Sequence, residues 1–476
     1  MCFLISIISF LTLDLEADTT TVYGTIPSYA NRVLSIKYVY DPVCELSEEL
    51  GSAKADSSGF FKIKFSSDKV YYGTIEIGKL KAYIFLEPGG KYEITLPQYA
   101  PKAPEDLINP YFEYYEFYVK ILNAETNELN NAVHLFDFEF SDFLDAKFPL
   151  INMQGPKARL DTVEIYYQNK FILTKSFFFR QYIHYNIAGI QSAAYSKTPE
   201  TIFKILFQKN YDDFQNPAFY DFFQQNYKNF FEYFTEISGF SDAITNGNVQ
   251  KVFEIIRSKG WIENEKMLQL GFLKGSYDAF YEKLYASDAI FLLLTNYINE
   301  QQDEGLRRIA ENVLAKITKL RVGSPAPDFK LYGPDSLSYS LYDFRGYYVY
   351  LNFCTTSSFG CLQQYGLLQA VDENYLDSLK IITIAADEDF AKTYEHFVKN
   401  KYRWELLSFQ RQPDVLEKYE IKAYPSYFLI DPDGNLMWAP APSPNEGFAS
   451  KYYDFIRDLK IKKQKEEGTY DPAFWK

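Results

Sequence analysis

The chain has 476 residues, of which 47% are hydrophobic and 24% charged, with 42 Tyr, 42 Phe and a formal net charge of −14. That length exceeds one ordinary core and points to about three domains, and the composition excludes a disordered chain. An acidic balance without a long Lys/Arg cluster excludes a phosphate-tracking nucleic-acid surface, because such binding needs a basic face to displace counterions.

Four cysteines, Cys2, Cys44, Cys354 and Cys361, contain no C-x-x-C pair and are too few for a disulfide scaffold. His134, His184 and His396 are scattered through helical-looking stretches without metal-ligand spacing. No metal and no cofactor are expected.

In chain order, Met1–Leu13 is an apolar run too short to span a bilayer and of the right length for the core of a secretory signal. Residues 1–17 are therefore expected to direct export, the alternative being a buried first strand. No transmembrane span is expected elsewhere, since the apolar run Ala289–Leu294 is only a core stripe. Residues 18–100 alternate short strands with turns such as Ser58-Gly59 and Pro88-Gly89-Gly90, and Phe61, Ile63 and Phe65 alternate with Lys62 and Lys64. This pattern predicts an antiparallel β domain with one wet face.

Residues 101–320 carry helical spacing. Thr198-Pro199 and Asn216-Pro217 read as helix starts, each a capping side chain followed by proline at the first helical position. Further helices are predicted over 158–190, 217–237, 248–257, 264–285 and 287–320.

From residue 321 to 461 strands alternate with helices. The strand Tyr347–Phe353 runs into a polar turn and a helix opening around Cys361, with Tyr348 and Tyr350 on one face and Val349, Leu351 and Phe353 on the other. A second strand (Lys380–Asp387), a helix (Phe390–Lys401), the run Trp404–Phe409, a short helix (Asp414–Tyr419), Ile421–Ile430, the Asp433-Gly434 turn and a last helix follow. Residues 462–476 read as a charged tail. The fold class is multidomain α+β: an antiparallel β domain, a central α-helical domain and a C-terminal α/β domain.

The ordered phrases VGSPAPDF, LYDFRG, YLNF, a helix-opening Cys and AYPSYFLIDPDG resemble the thioredoxin-like domain of exported TlpA-type thiol-disulfide oxidoreductases. The resemblance covers about 140 residues, and it implies a thioredoxin-like fold for 321–461. More weakly, pieces such as FLEPGG make the regions before it look like the N-terminal parts that accompany such domains in exported proteins of Gram-negative bacteria.

In that family two cysteines open the helix, the first attacking a disulfide and the second resolving the mixed disulfide. Aligned on Asn352-Phe353 and Cys361, this chain has Ser358 at the attacking position and Cys361 at the resolving one, while Cys354 and Ser357 replace the family's two tryptophans. A serine hydroxyl is not acidic enough to attack at neutral pH and cannot form a sulfur–sulfur bond. No nearby histidine or G-x-S-x-G elbow makes Ser358 a hydrolytic nucleophile, which leaves it a helix cap.

Cys361 reads as a packed cysteine or a monothiol, and Cys354 with Cys361 as a displaced pair whose separation is not legible. Tyr424-Pro425 matches the family's cis-proline loop, which implies a platform for an extended peptide or protein partner that does not depend on sulfur. Trp404 and Trp438 border that platform or pack in the core. Three functions stay open: an exported binding or scaffold module that has lost dithiol exchange, an atypical oxidoreductase using Cys361 alone or with Cys354, and a glycan or protein receptor acting through the N-terminal domains.

Overall fold

A computed structural model describes residues 18–469 except 104–105, 107–111, 126, 156–158, 196, 208–209, 376–377, 388 and 410–412. The expected export signal and the end of the tail lie outside the described residues. The described residues fall into two compact units, one of those up to Pro101 and within Tyr114–Leu314, the other of those within Lys102–Glu113 and from Ala315 onward.

The first unit opens with β1 (Asp18–Thr25), β2 (Val33–Asp41), β3 (Leu46–Lys54), β4 (Phe60–Ser67), β5 (Tyr71–Ile77), β6 (Leu80–Leu86), β7 (Lys91–Thr95), β8 (Tyr115–Tyr118) and β9 (Lys120–Ile121). They make a sheet of order β4-β1-β7-β9 and another of order β3-β2-β5-β6-β8. The ladders are mostly antiparallel, with parallel pairs at β1–β7 and β6–β8. Alternation decides which face is wet: in β4, Phe61, Ile63 and Phe65 are buried while Lys62 and Lys64 are exposed. The inward residues of both sheets, among them Val22, Ile36, Ile63, Ile84 and Ile94, form one core.

The helical region follows: α1 (Leu129–Gln154), α2 (Leu160–Lys170), α3 (Phe177–Ala194), a short π-helical segment at Ile202–Leu206, α4 (Pro217–Tyr227), α5 (Phe240–Thr245), α6 (Val249–Ser258), α7 (Glu265–Tyr281), α8 (Ser287–Glu300) and α9 (Glu304–Thr318). Three spans expected as single helices are broken, each by a local competitor for the backbone. The span 158–190 stops at Lys170 and restarts where the Ser176 side chain accepts from the Phe179 N–H. The span 217–237 ends at Tyr227 because Asn229 takes a left-handed φ of 53° before a 3₁₀ turn. The span 287–320 breaks at 301–303, where the Asp303 carboxylate accepts from the Leu306 N–H.

Aromatic side chains fill this core. Gly271 and Gly275 on α7 allow the rings of Tyr227 and Phe231 to lie against the helix backbone, where a Cβ would come within 2.6 and 2.5 Å of ring atoms. Among the described residues no helix is long and apolar enough to cross a membrane.

The second unit contains β10 (Lys330–Tyr332), β11 (Ser338–Ser340), β12 (Tyr348–Cys354), α10 (Phe359–Tyr375), β13 (Leu379–Ala385), α11 (Phe390–Asn400), β14 (Glu405–Ser408), α12 (Pro413–Lys418), β15 (Ser426–Ile430), β16 (Leu436–Trp438) and α13 (Phe448–Glu466). Its sheet has the order β11-β10-β14-β13-β12-β15-β16. β12 is central, parallel to β13 and antiparallel to β15. Its alternation feeds two cores: Val349, Leu351 and Phe353 face one, and Tyr350 and Cys354 the other, where Cys361, Tyr365, Phe397, Trp404 and Phe448 also lie. The last helix continues to Glu466, with Lys463 and Lys465 in its final turn beside the negative end of the helix dipole. The protein is thus multidomain, with N-terminal β sheets, a central helical region and a C-terminal thioredoxin-like α/β domain.

In the first unit, His184 on α3 contacts acceptors at both ring nitrogens, with Glu164 Oε1 2.9 Å from Nδ1 and the Leu206 carbonyl 3.2 Å from Nε2. Only the imidazolium donates to both. Burial alone lowers the His184 pKa, but the bond to Glu164, its charge and the Leu206 carbonyl outweigh burial and raise it. The folded protein therefore holds this proton to higher pH than the unfolded chain does. The resulting stability is complete below the unfolded value of about 6.5 and is lost as pH rises through the folded value. His184→Ala should accordingly destabilise the first unit by roughly 1–2 kcal/mol at about pH 5.5 and by clearly less at about pH 9, measured by urea unfolding.

Candidate functional site

β12 ends at the carboxyl edge of the sheet, and the turn 355–358 lifts the chain into α10. This edge must satisfy buried backbone donors without a neighbouring strand. A sulfur and a carboxylate do so. Cys361 Sγ accepts the Thr355 N–H at 3.3 Å. Asp387 Oδ1 accepts from the Thr355 hydroxyl at 3.0 Å, the Thr356 N–H at 2.8 Å and the Thr356 hydroxyl at 2.6 Å.

Asp387 reaches the turn because β13 runs parallel to β12, pairing Cys354 with Ala385, so the residue two beyond Ala385 stands at the same edge. Its other oxygen, Oδ2, is buried with no hydrogen-bond partner in the protein. The site also uses Thr355, together with Thr356 and Asp387, the latter two of which sequence reasoning had not singled out. The available signal was Asp387 as the first acidic residue after an apolar strand.

Ser358 stands just before α10. Its hydroxyl accepts the Cys361 N–H at 3.4 Å and lies 3.5 Å from the Tyr424 carbonyl, to which it donates. The Tyr424–Pro425 bond is cis. Gly360 packs close to this loop, a Cβ there coming within 3.4 Å of Pro425 Cδ. Ser358, Tyr424 and Pro425 are half-buried and Phe359 is 73% exposed, so the helix start and the cis-proline loop together present a partly apolar surface.

Cys354 and Cys361 are both fully buried and are free thiols. They meet beneath this surface, the thiol of Cys354 lying against the sulfur of Cys361. Burial pushes the Cys354 thiol well above its usual value. Cys361 is held below it by the hydrogen bond from Cys354, with further support from the Thr355 N–H and Ser358, against the opposing effect of burial. The structure thus brings together Cys354, Cys361, Ser358, Tyr424 and Pro425.

The two tryptophans lie elsewhere. Trp404 is in the core with its Nε1–H donating to Thr383 Oγ1 at 2.8 Å, and Trp438 packs on Phe448 and Phe455. His134 packs edge-on to Tyr118 and His396 lies beside Tyr365 and Tyr402. Among the described residues no three His, Cys, Asp or Glu side chains are grouped to hold a metal ion.

Comparison with known proteins places this unit. Residues 322–439 match the AhpC/TSA family. Thiol-disulfide oxidoreductase ResA of Bacillus cereus is 27% identical over 129 residues, which span 27% of this chain and 73% of that protein. The same protein of Geobacillus thermodenitrificans is 29% identical over 129 residues, spanning 27% of this chain and 74% of that one. Among solved structures, the thioredoxin domain of a thiol-disulfide oxidoreductase from Bacteroides vulgatus is 25% identical, covering 28% of this chain and 97% of that one with a TM-score of 0.27. A thiol:disulfide interchange protein from Bacteroides sp. is 24% identical, covering 28% and 91% with a TM-score of 0.26. The match to the AhpC/TSA family model thus lies within the C-terminal thioredoxin-like α/β domain. The Bacillus and Geobacillus proteins it resembles are thiol-disulfide oxidoreductases.

Proposed function

We propose that this is an exported thioredoxin-fold protein, resident in the periplasm or outer envelope, whose TlpA-like C-terminal domain binds an extended peptide or protein segment beside cis-Pro425 and does not turn over protein disulfides. One observation carries the reading: the helix start that should present an attacking thiol presents Ser358, whose hydroxyl is engaged with the Cys361 N–H and the Tyr424 carbonyl. A hydroxyl there caps the helix but cannot complete exchange. The adjoining surface offers Phe359 for apolar contact and the cis-proline loop for backbone pairing. The apolar run Met1–Leu13 supports export.

A second reading, an atypical thiol-disulfide oxidoreductase using Cys361 with Cys354, is favoured by the contact between the two sulfurs and the lowered Cys361 pKa. It requires Cys361 to be reactive although fully buried.

Insulin reduction by dithiothreitol separates the readings. The natural protein should leave the uncatalysed rate unchanged, and Ser358→Cys should gain turnover, because a thiol at this helix N-terminus three residues before Cys361 has both the thiolate stabilisation and the resolving partner it needs. Turnover by the natural protein that Cys361→Ala abolishes would overturn the binding reading. For the second reading, iodoacetamide should label Cys361 in the folded protein with a rate that rises with thiolate fraction as pH is raised. No labelling of either cysteine before denaturation, with no disulfide between them, would eliminate it.

A further inference from the structure

The buried cysteines and the peptide surface above them share one set of bonds. Cys361 Sγ holds the Thr355 N–H, and Thr355 is tied through its hydroxyl to Asp387. The Cys361 N–H is held by Ser358 Oγ, and the Ser358 hydroxyl reaches the carbonyl of Tyr424, the residue before cis-Pro425. Any change of bonding at the Cys361 sulfur therefore acts on a turn that touches the cis-proline loop through one side chain.

We propose that Cys354 and Cys361 form a redox lock beneath the groove: oxidation to an internal disulfide by a small, low-molecular-weight disulfide takes the Cys361 sulfur away from the Thr355 N–H and resets the Ser358–Tyr424 contact, so that peptide binding follows redox state. The proposal rests on the groove reading above and adds its regulation.

The pair is chemically divided for this reaction. Burial keeps Cys354 a thiol, while its own hydrogen bond, the Thr355 N–H and Ser358 favour thiolate at Cys361. The other groups facing the pair are Tyr350 from β12, Tyr365 from α10, Tyr424 from the cis-proline loop, Tyr427 from β15 and Asp387 from beyond β13. Burial, with the nearby sulfurs, pushes all four tyrosines up, so they stay neutral.

In the first step the Cys361 thiolate attacks one sulfur of the small disulfide RSSR, forming a mixed disulfide and releasing RS⁻. In the second, Cys354 gives its proton to that RS⁻ and attacks the Cys361 sulfur, breaking the mixed disulfide and releasing a second RS⁻. Two electrons leave the cysteine sulfurs, and RSSR departs as RSH and RS⁻. Full burial excludes a protein disulfide as oxidant. A small one enters when the first turn of α10 opens, which Gly360 favours by its larger conformational freedom.

The test uses the full-length protein, reduced with dithiothreitol or oxidised with 2-hydroxyethyl disulfide. Three properties are read: the Cys354–Cys361 disulfide by peptide mapping, amide hydrogen exchange over residues 355–362 and 423–426, and affinity for carboxymethylated insulin B chain. Oxidation should form the disulfide, alter exchange in both segments, and change B-chain affinity by at least about fivefold. Cys354→Ala, or Cys361→Ser if that variant does not fold, should abolish the response. Failure of the disulfide to form, or its formation without altered exchange at 423–426, would overturn the lock. If the B chain binds in neither state, the groove reading fails, and exchange at 423–426 still decides whether oxidation is transmitted to the cis-proline loop.

Discussion

Everything at this site depends on how a strand that ends at a sheet edge disposes of its last backbone donors. Beyond Cys354 the ladder continues for only one more bond, from the Ala386 N–H to the Cys354 carbonyl at 2.8 Å. After that the N–H groups of Thr355 and Thr356 point into a partly dry turn. An unpaired buried donor costs about 1–3 kcal/mol, so the turn persists only because the Cys361 sulfur takes one of them and Asp387 the other. Cys361 is thus part of the turn's structure independently of any redox use.

The same constraint separates the two chemistries that a thioredoxin-like site combines. Exchange needs an exposed thiolate at the helix start. Peptide recognition needs an ordered edge and a cis-proline loop. Here Ser358, a half-buried hydroxyl already engaged with its neighbours, stands at the helix start, and the cis Tyr424–Pro425 loop is braced against it. The next residue, Phe359, leaves its ring exposed.

Much of this was legible in the sequence, for reasons that can be named. Tyr348 and Tyr350 against Val349, Leu351 and Phe353 is a period-two pattern, and each residue lies on the face its parity assigns. The positions of Ser358, Cys361, Tyr424 and Pro425 followed from several ordered phrases at once. Asp387 was not legible as a site residue, because its place beside Thr355 is set by the parallel register of β13 on β12, which no local pattern encodes. The contact of Cys354 with Cys361 is likewise fixed by the turn between them. In the helical region the apolar period continued across Phe171–Ser176 and 301–303, so capping by Ser176 and Asp303 overrode a pattern that read as continuous helix.

The central claim is that no sulfur of this domain is available to a protein disulfide. Trapping tests it most directly: full-length Cys354→Ala, which removes the internal partner that would resolve an adduct, is incubated with a disulfide-bonded protein, quenched with acid and analysed by non-reducing mass spectrometry. The account predicts no mixed disulfide at Cys361. An adduct joining Cys361 to the substrate protein would contradict it.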